Sequence, residues 1–331
     1  MKTMNMISRR SFLKVSGCLM LGSAVSGLLC GAGDPAEGGA AVPTVGGLRV
    51  NYVRAFAKDY GNNFRQMEIH LNIENTNSSA AYFNQENFVP MLGNSRYGGE
   101  FTFTGLNKWN GSRYVQDVQL KAGETQTISY SCKLQPEDLS AGLRTVDPAP
   151  WSLTLLYGGQ RQTFTGYLLP DHYSTEYTAG PVESTVLPAV GGIVLSGFWS
   201  SDFLTQVPSY SLPIYFTMQN SNDTAAQLPF RGVAENGDVL DNFTIRMDGQ
   251  PRNHYRLYAC THTSRFTPEE KGHLETLQPQ EICFAETGIS LTKDEYSTLY
   301  TTGHTLEITF SYGDESVTVR GNTRTGIFEA I

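Results

Sequence analysis

The chain has 331 residues, of which 40% are hydrophobic and only 17% charged, with 33 Gly, 17 Tyr and 17 Phe. That length accommodates two domains, and the low charge with many aromatics and turn-formers favours strands over long helices. The formal net charge is −8; the first 33 residues hold four bases (Lys2, Arg9, Arg10, Lys14) and no acid, so the remainder carries −12, which excludes nucleic-acid binding through the overall field and favours solubility.

Residues 8–14 read SRRSFLK, the twin-arginine export signature, carried by Arg9, Arg10, Phe12 and Leu13. Val15–Leu29 is apolar but diluted by Ser and Gly, and it is shorter than the roughly 20 residues of a membrane span. A positive start, a short apolar middle and a small-residue end predict a cleavable signal over 1–33, then a Gly/Ala-rich tether over 34–44. An ordinary secretory signal with a chance Arg pair leads to the same destination outside the cytoplasm, extracellular or at the cell envelope. Two fates of Cys30 stay open. Followed by GAGDPAEGGAA, it resembles a lipidated junction; against that, Leu29 stands where Gly, Ala or Ser is usual, and cleavage near Ala32 or Ala41 competes. Membrane contact is expected only through the signal or such an anchor, and one lipid chain anchors marginally.

Beyond the leader the chain repeats itself. Gly46-Gly47-Leu48 is echoed by Gly191-Gly192-Ile193, and IHLNIENTNSSAA (69–81) by IYFTMQNSNDTAA (214–226), both 145 residues on. Leu120 and Glu124 recur as Leu277 and Glu281 at 157; WSLTLLYG (151–158) recurs as LEITFSYG (306–313) at 155. The second copy therefore carries an insertion of about a dozen residues in its middle. The repeated segments alternate. Met67, Ile69, Leu71 and Ile73 face a core and Glu68, His70, Asn72 and Glu74 face water; Ile214, Phe216 and Met218 point inward against Tyr215, Thr217 and Gln219. Trp151, Leu153, Leu155 and Tyr157 correspond to Leu306, Ile308, Phe310 and Tyr312 in the last strand. Short helices are expected only over Pro136–Ala141 and Thr292–Thr298. The fold class is thus all-β, with two tandem sandwiches over 45–168 and 189–331 and a Pro/Tyr/Ser/Thr/Gly-rich linker over 169–188.

The glycine-led first strand, IENTNSSAAYF, the LKAGETQTISY turn and the WSLTLLYG closing strand resemble the immunoglobulin-like domains of exported bacterial proteins of unknown function, found on lipoproteins and Gram-positive surface proteins. The resemblance covers most of 45–168 and, more weakly, 190–321. It implies immunoglobulin-like sandwiches and brings no catalytic residues.

Cys132 alternates with Ile128, Tyr130 and Leu134 and is matched by Ile289, which reads as core packing. Two readings of Cys260 and Cys283 stay open: an extracytoplasmic disulfide, closing a loop that contains the insertion and stabilising by about 3 kcal/mol, or no bond between them. His254, Cys260 and His262 in HYRLYACTHT form the one metal-compatible set, since alternate strand residues share a face. No fourth ligand is evident, and a polar strand edge is the rival. His172 falls in the linker, and His273 and His304 flank turns, none beside a nucleophile. Of the scattered carboxylates (Asp117, Asp138, Asp238, Asp241 and Asp294 among them), Glu124 and Glu281 recur at matching turns and are expected to accept backbone N–H bonds. ENGDVLDN (235–242) lacks calcium-loop spacing, so Asn236-Gly237 reads as a hairpin turn. Trp109 and Trp199 pack on the sandwich or mark a contact surface.

The resulting expectation is an exported, non-enzymatic envelope protein without a cofactor, binding another envelope protein or a glycan. A metal-binding protein using His254, Cys260 and His262, and a hydrolase with an interdomain site, are the alternatives.

Overall fold

The computed structural model describes residues 43–59, 65–83, 87–92, 95–96, 100–103, 118–134, 149–168, 174–200, 210–228, 230–233, 239–255, 257–260, 272–299 and 302–331. Arg9, Arg10, Phe12, Leu13, Cys30, Trp109, Asp117, Asp138, His172, Asn236, Gly237, Asp238, His262 and the helix expected over Pro136–Ala141 lie outside them, as do the side chains of Met67, Tyr130, Cys132, Leu134, Trp199 and Cys260.

The first repeat runs through β1 (Thr44–Val45), β2 (Leu48–Asp59), β3 (Arg65–Asn75), β4 (Ala81–Phe83), β5 (Phe88–Leu92), β6 (Ser95–Arg96), β7 (Glu100–Phe103), β8 (Val118–Leu120), β9 (Thr125–Leu134), β10 (Ala149–Tyr157), β11 (Gln160–Leu168), β12 (Tyr177–Ala179) and β13 (Glu183–Ser184). The second runs through β14 (Ile193–Ser200), β15 (Ser211–Asn220), β16 (Ala226–Gln227), β17 (Phe230–Val233), β18 (Val239–Asp241), β19 (Phe243–Met247), β20 (Gln250–Arg252), β21 (Tyr258–Cys260), β22 (Gly272–His273), β23 (Thr276–Leu277), β24 (Ile282–Ser290), helix α1 (Lys293–Thr298), β25 (Thr305–Tyr312), β26 (Glu315–Asn322) and β27 (Phe328–Ala330).

The sheet orders show that one topology occurs twice. Order β2-β3-β9-β7 in the first repeat matches β14-β15-β24-β21 in the second. Order β12-β11-β10-β5-β6 matches β27-β26-β25-β19-β20, and the β4-β8 pair matches β16-β23. Every pairing among the described strands is antiparallel, the arrangement that lets a sheet keep one wet face. The hairpin of β17 and β18 has no counterpart in the first repeat among the described residues. It marks the insertion, because Ala81 and Ala226 still pair equivalently whereas Phe88 and Phe243 are already shifted. The insertion thus precedes Cys260, and a Cys260–Cys283 loop would not contain it, contrary to the sequence expectation. Val233 stands opposite Val239 in that hairpin, and the residues between them, where the turn is expected, lie outside the described ones.

Period-2 alternation buries the two cores. Ile69, Leu71 and Ile73 lie in the first with Phe83, Trp151, Leu153, Leu155 and Phe164. Ile214, Phe216 and Met218 lie in the second with Phe243, Leu306, Ile308 and Phe310. Ring packing ties the second core's sheets together, with Phe243 5.0 Å from Phe310 and 5.4 Å from Phe216 between centroids. Two outward residues depart from the expectation of facing water. Tyr215 is buried because it stacks on Phe284 at 5.7 Å in a third cluster with Val89 and Leu156 of the first repeat. His70 is buried because Arg54 and Glu68 hold its two ring nitrogens, each at 3.3 Å. Residues of the expected linker form strands: β12 and β13 both pair with β11, and Val186 bridges Ser196 of β14. The helix expected at Thr292–Thr298 is α1, started by a capping box between Thr292 and Glu295.

The repeated IENTN and MQNSN segments fold into the same clasp. Asn75 is fully buried; its Nδ2 donates to Ser79 O at 2.8 Å and Leu120 O at 3.0 Å, while its Oδ1 accepts from Asn77 N at 3.0 Å. Asn220 repeats these bonds with Thr224 O, Leu277 O and Asn222 N at 2.8, 3.0 and 3.0 Å. The next turn of the clasp uses Asn77 Nδ2 on Gly46 O and Asn222 Nδ2 on Gly191 O, at 3.1 and 2.8 Å. Gly47 and Gly192 sit at φ +81° and +77°, where a Cβ would collide with the Asn77 and Asn222 amides, so the Gly-Gly pairs are dictated by backbone and space together. Glu124 and Glu281 accept backbone N–H bonds at 2.7 and 2.6 Å, as expected from their recurrence. Asn75→Ala and Asn220→Ala each orphan buried carbonyls and an amide, at a cost of about 2–4 kcal/mol. Urea unfolding of each variant measures this. As a control, Thr76→Ser keeps the hydroxyl bond to Gly47 O, which Ser221 makes to Gly192 O in the second copy, and should leave the midpoint nearly unchanged.

Candidate functional site

The described chemistry-bearing side chains gather mainly in the second repeat. The edge of its first sheet brings together Asp241 at the end of β18, His254 just before β21, and Thr287 and Glu286 of β24. His254 is buried. Its Nε2 lies 2.9 Å from Asp241 Oδ2 and 3.0 Å from Phe243 O, two acceptors, so Nε2 carries a hydrogen and donates. Its Nδ1 lies 3.3 Å from Tyr255 O and 3.4 Å from Thr287 Oγ1, and the Thr287 hydroxyl donates to Tyr255 O at 3.0 Å. The imidazole therefore staples the inserted hairpin's end to β19 and β24. Nε2, committed as a donor, has no lone pair to offer a metal, and Nδ1 faces Tyr255 O and Thr287 Oγ1 within the fold.

The register sets two of the three expected metal residues apart. His254 bridges Ile289, whereas Cys260 lies opposite Phe284 on the same strand β24. Five residues of extended chain separate those points, about 16 Å. His262 lies outside the described residues. Cys283 is buried in the second core, beside Ala285 and Met218, and the backbone of Cys260 pairs one residue away from it. Among the described residues, no three of His, Cys, Asp and Glu converge as a metal-binding group, and no helix is long and apolar enough to cross a membrane.

Next to His254, Tyr255 donates its hydroxyl to Glu286 Oε1 at 3.0 Å over the backbone of Gly288. Burial, with the Glu286 charge and that bond, pushes the Tyr255 hydroxyl far above the usual phenol range, so it stays a donor. The ring row continues through Tyr258, 6.4 Å away, to His273, stacked on Tyr258 at 4.7 Å. Sequence reasoning missed the Tyr255–Glu286 pair entirely. Register alone creates it, from residues 31 apart, and no spacing signal points to it.

A second cluster holds α1 onto the sandwich. His304 Nδ1 meets Asp248 Oδ2 at 2.7 Å, and its Nε2 meets Thr298 Oγ1 at 2.9 Å. Arg252 forms an ion pair with Glu295 of α1, and Thr323 Oγ1 donates to Leu299 O at 2.7 Å. Asp248 itself occupies a left-handed turn position, φ +52°, followed by Gly249 at +78°, the pair that a tight hairpin demands. The sequence places His304 merely beside a turn; in the structure it joins that turn to the helix.

Compared with known proteins, the sequence matches no protein-family model and no curated protein.

Slight burial opposes ionisation of Asp248, but hydrogen bonds from His304 and the Thr305 amide outweigh it and hold the carboxyl below its ordinary 3.8. Burial likewise opposes Glu295, and bonds from Thr292 and Arg252 hold it below its ordinary 4.5. The unfolded chain binds protons at these groups first, so their contribution is full above those ordinary values and disappears as pH falls through the lower folded ones. Urea midpoints measured from about pH 6 down to pH 3 should fall, and Glu295→Gln should flatten that acid limb while lowering the midpoint at neutral pH.

Proposed function

We propose that this is an exported, non-enzymatic protein of the cell envelope whose two immunoglobulin-like sandwiches present surfaces to an envelope protein or a glycan. The observation that carries this reading is how the polar clusters are used. His70, His254 and His304 each have both ring nitrogens engaged by protein groups. Tyr255, Glu286, Glu295 and Arg252 are likewise engaged in holding strands and a helix in place. A general base or metal ligand needs a lone pair turned toward a substrate or ion, and the ring nitrogens of these histidines face protein atoms instead. Where the two repeats meet, Val89, Leu156, Tyr215 and Phe284 fill the contact with apolar side chains, which does not favour an interdomain hydrolytic site. Function then resides in surface complementarity, which sandwiches supply from the loops at their ends and from open faces.

Export is tested by replacing Arg9 and Arg10 with Lys and fractionating the producing cells: the full-length precursor should accumulate in the cytoplasm. Binding is tested with purified mature protein added to envelope fragments from those cells. Saturable retention that survives moderate salt supports the reading. Absence of saturable retention, or a stoichiometric metal in the purified protein that Cys260→Ser removes, overturns it.

A further inference from the structure

Two copies of one topology act as mutual controls. Where the same fold position carries different chemistry, the difference reports something that only one copy does. Several such differences coincide with the contact between the repeats. Leu156 of β10 stands opposite Arg161 of β11; the equivalent opposed pair in the second copy is Ser311 and Ser316. Val89, opposite Thr154, is matched by Thr244, opposite Thr309. On the other side of the contact, Tyr215 opposite Glu286 and Thr217 opposite Phe284 are matched by His70 opposite Ser129 and Asn72 opposite Thr127.

Each apolar member sits on the outward face of its own sandwich, where a residue ordinarily meets water. Here the four are buried together: Val89 at 1% exposure, Leu156 at 2%, Tyr215 at 6% and Phe284 at 0%. At their border Arg161 reaches Glu183 at 2.7 Å and Glu329 of β27 at 2.8 Å. Burial works against the guanidinium charge, and the bonds to Glu329 and Glu183 outweigh it and raise its pKa. The connecting backbone is bonded on both sides: Thr185 N donates to Gly159 O at 2.9 Å, and Leu187 N to Leu195 O at 2.8 Å. At the far face of the second copy, exposed Thr244 and half-buried Ser311 take the places of Val89 and Leu156.

We infer that this seam locks the two sandwiches into one rigid, cooperatively folding body, and that the equivalent face of the second copy, with Thr244 and Ser311, is built not to repeat it. A heterologous contact between like units extends indefinitely if its two faces recur on every unit. A polar outer face on a repeat stops such growth. The replacements of Leu by Ser, Arg by Ser and Val by Thr on the second copy's face have that effect.

The two copies also supply the test. In the full mature chain, Leu156→Ser with Arg161→Ser installs at the seam what the second copy already carries at those fold positions, so the first sandwich keeps residues its topology accepts. Scanning calorimetry of the native protein should give one transition, which the double variant splits into two. Small-angle scattering should show its radius of gyration rising as the units separate. Phe284→Thr, borrowed from the first copy, should act from the other side in the same direction, and it serves if the double variant folds poorly. Ser129→Ala, away from the seam, should leave the transition single. A native chain that unfolds in two independent steps, or a double variant with unchanged transition and radius, overturns the inference.

Discussion

A side-chain amide buried without solvent at the same corner of both sandwiches carries much of the architecture. Burying a polar group costs free energy unless every hydrogen bond is replaced. Asn75 and Asn220 meet that condition by gathering carbonyls from the strands on either side and an amide from the turn that follows. The satisfied network fixes where β3 and β15 end, which direction the chain leaves, and how β4 and β16 meet β8 and β23. It also explains the glycine pairs, because the Asn77 and Asn222 amides occupy the volume that a side chain at Gly47 or Gly192 would need. A core of interchangeable aliphatic residues would specify neither the corner nor the register so narrowly.

From that corner the remaining structure follows by alternation, but alternation has two faces, and the second is put to use. The outward positions of β10, β5, β15 and β24 would be ordinary wet-face positions in an isolated sandwich. At the seam they carry Leu156, Val89, Tyr215 and Phe284 instead. Apolar burial is non-directional, so it closes the gap without fixing an angle. Direction comes from Arg161, forked between Glu183 and Glu329, and from the backbone bonds of Thr185 and Leu187. Exposed ion pairs of this kind contribute little free energy; orientation is what they add.

The histidine clusters follow the same logic. Each sits where irregular backbone must be fastened to regular strands: His254 at the end of the inserted hairpin, His304 between a tight turn and the short helix. Neither α1, six residues long, nor a two-strand hairpin is stable alone. Side-chain bonds to neighbouring strands supply what local structure lacks. Both nitrogens of each ring meet protein atoms, which fastens that backbone to its neighbours.

The amino-acid sequence by itself determined the all-β class, the duplication, the inward residues of the repeated strands, the carboxylates that cap the Gly/Glu turns, and the short helix at Thr292–Thr298. Those features are local or periodic, and a period of two residues or a capping box is visible without coordinates. Only the tertiary structure decided that Tyr215 and His70 are buried although they lie on outward faces, that residues of the expected linker extend a sheet, and that His254 and Cys260 stand apart along one strand. It alone brought His254 to Asp241 and Tyr255 to Glu286. The physical reason is that pairing partners lie dozens of residues away, and no periodicity in one strand reports what a neighbouring sheet or a second sandwich will lay against it.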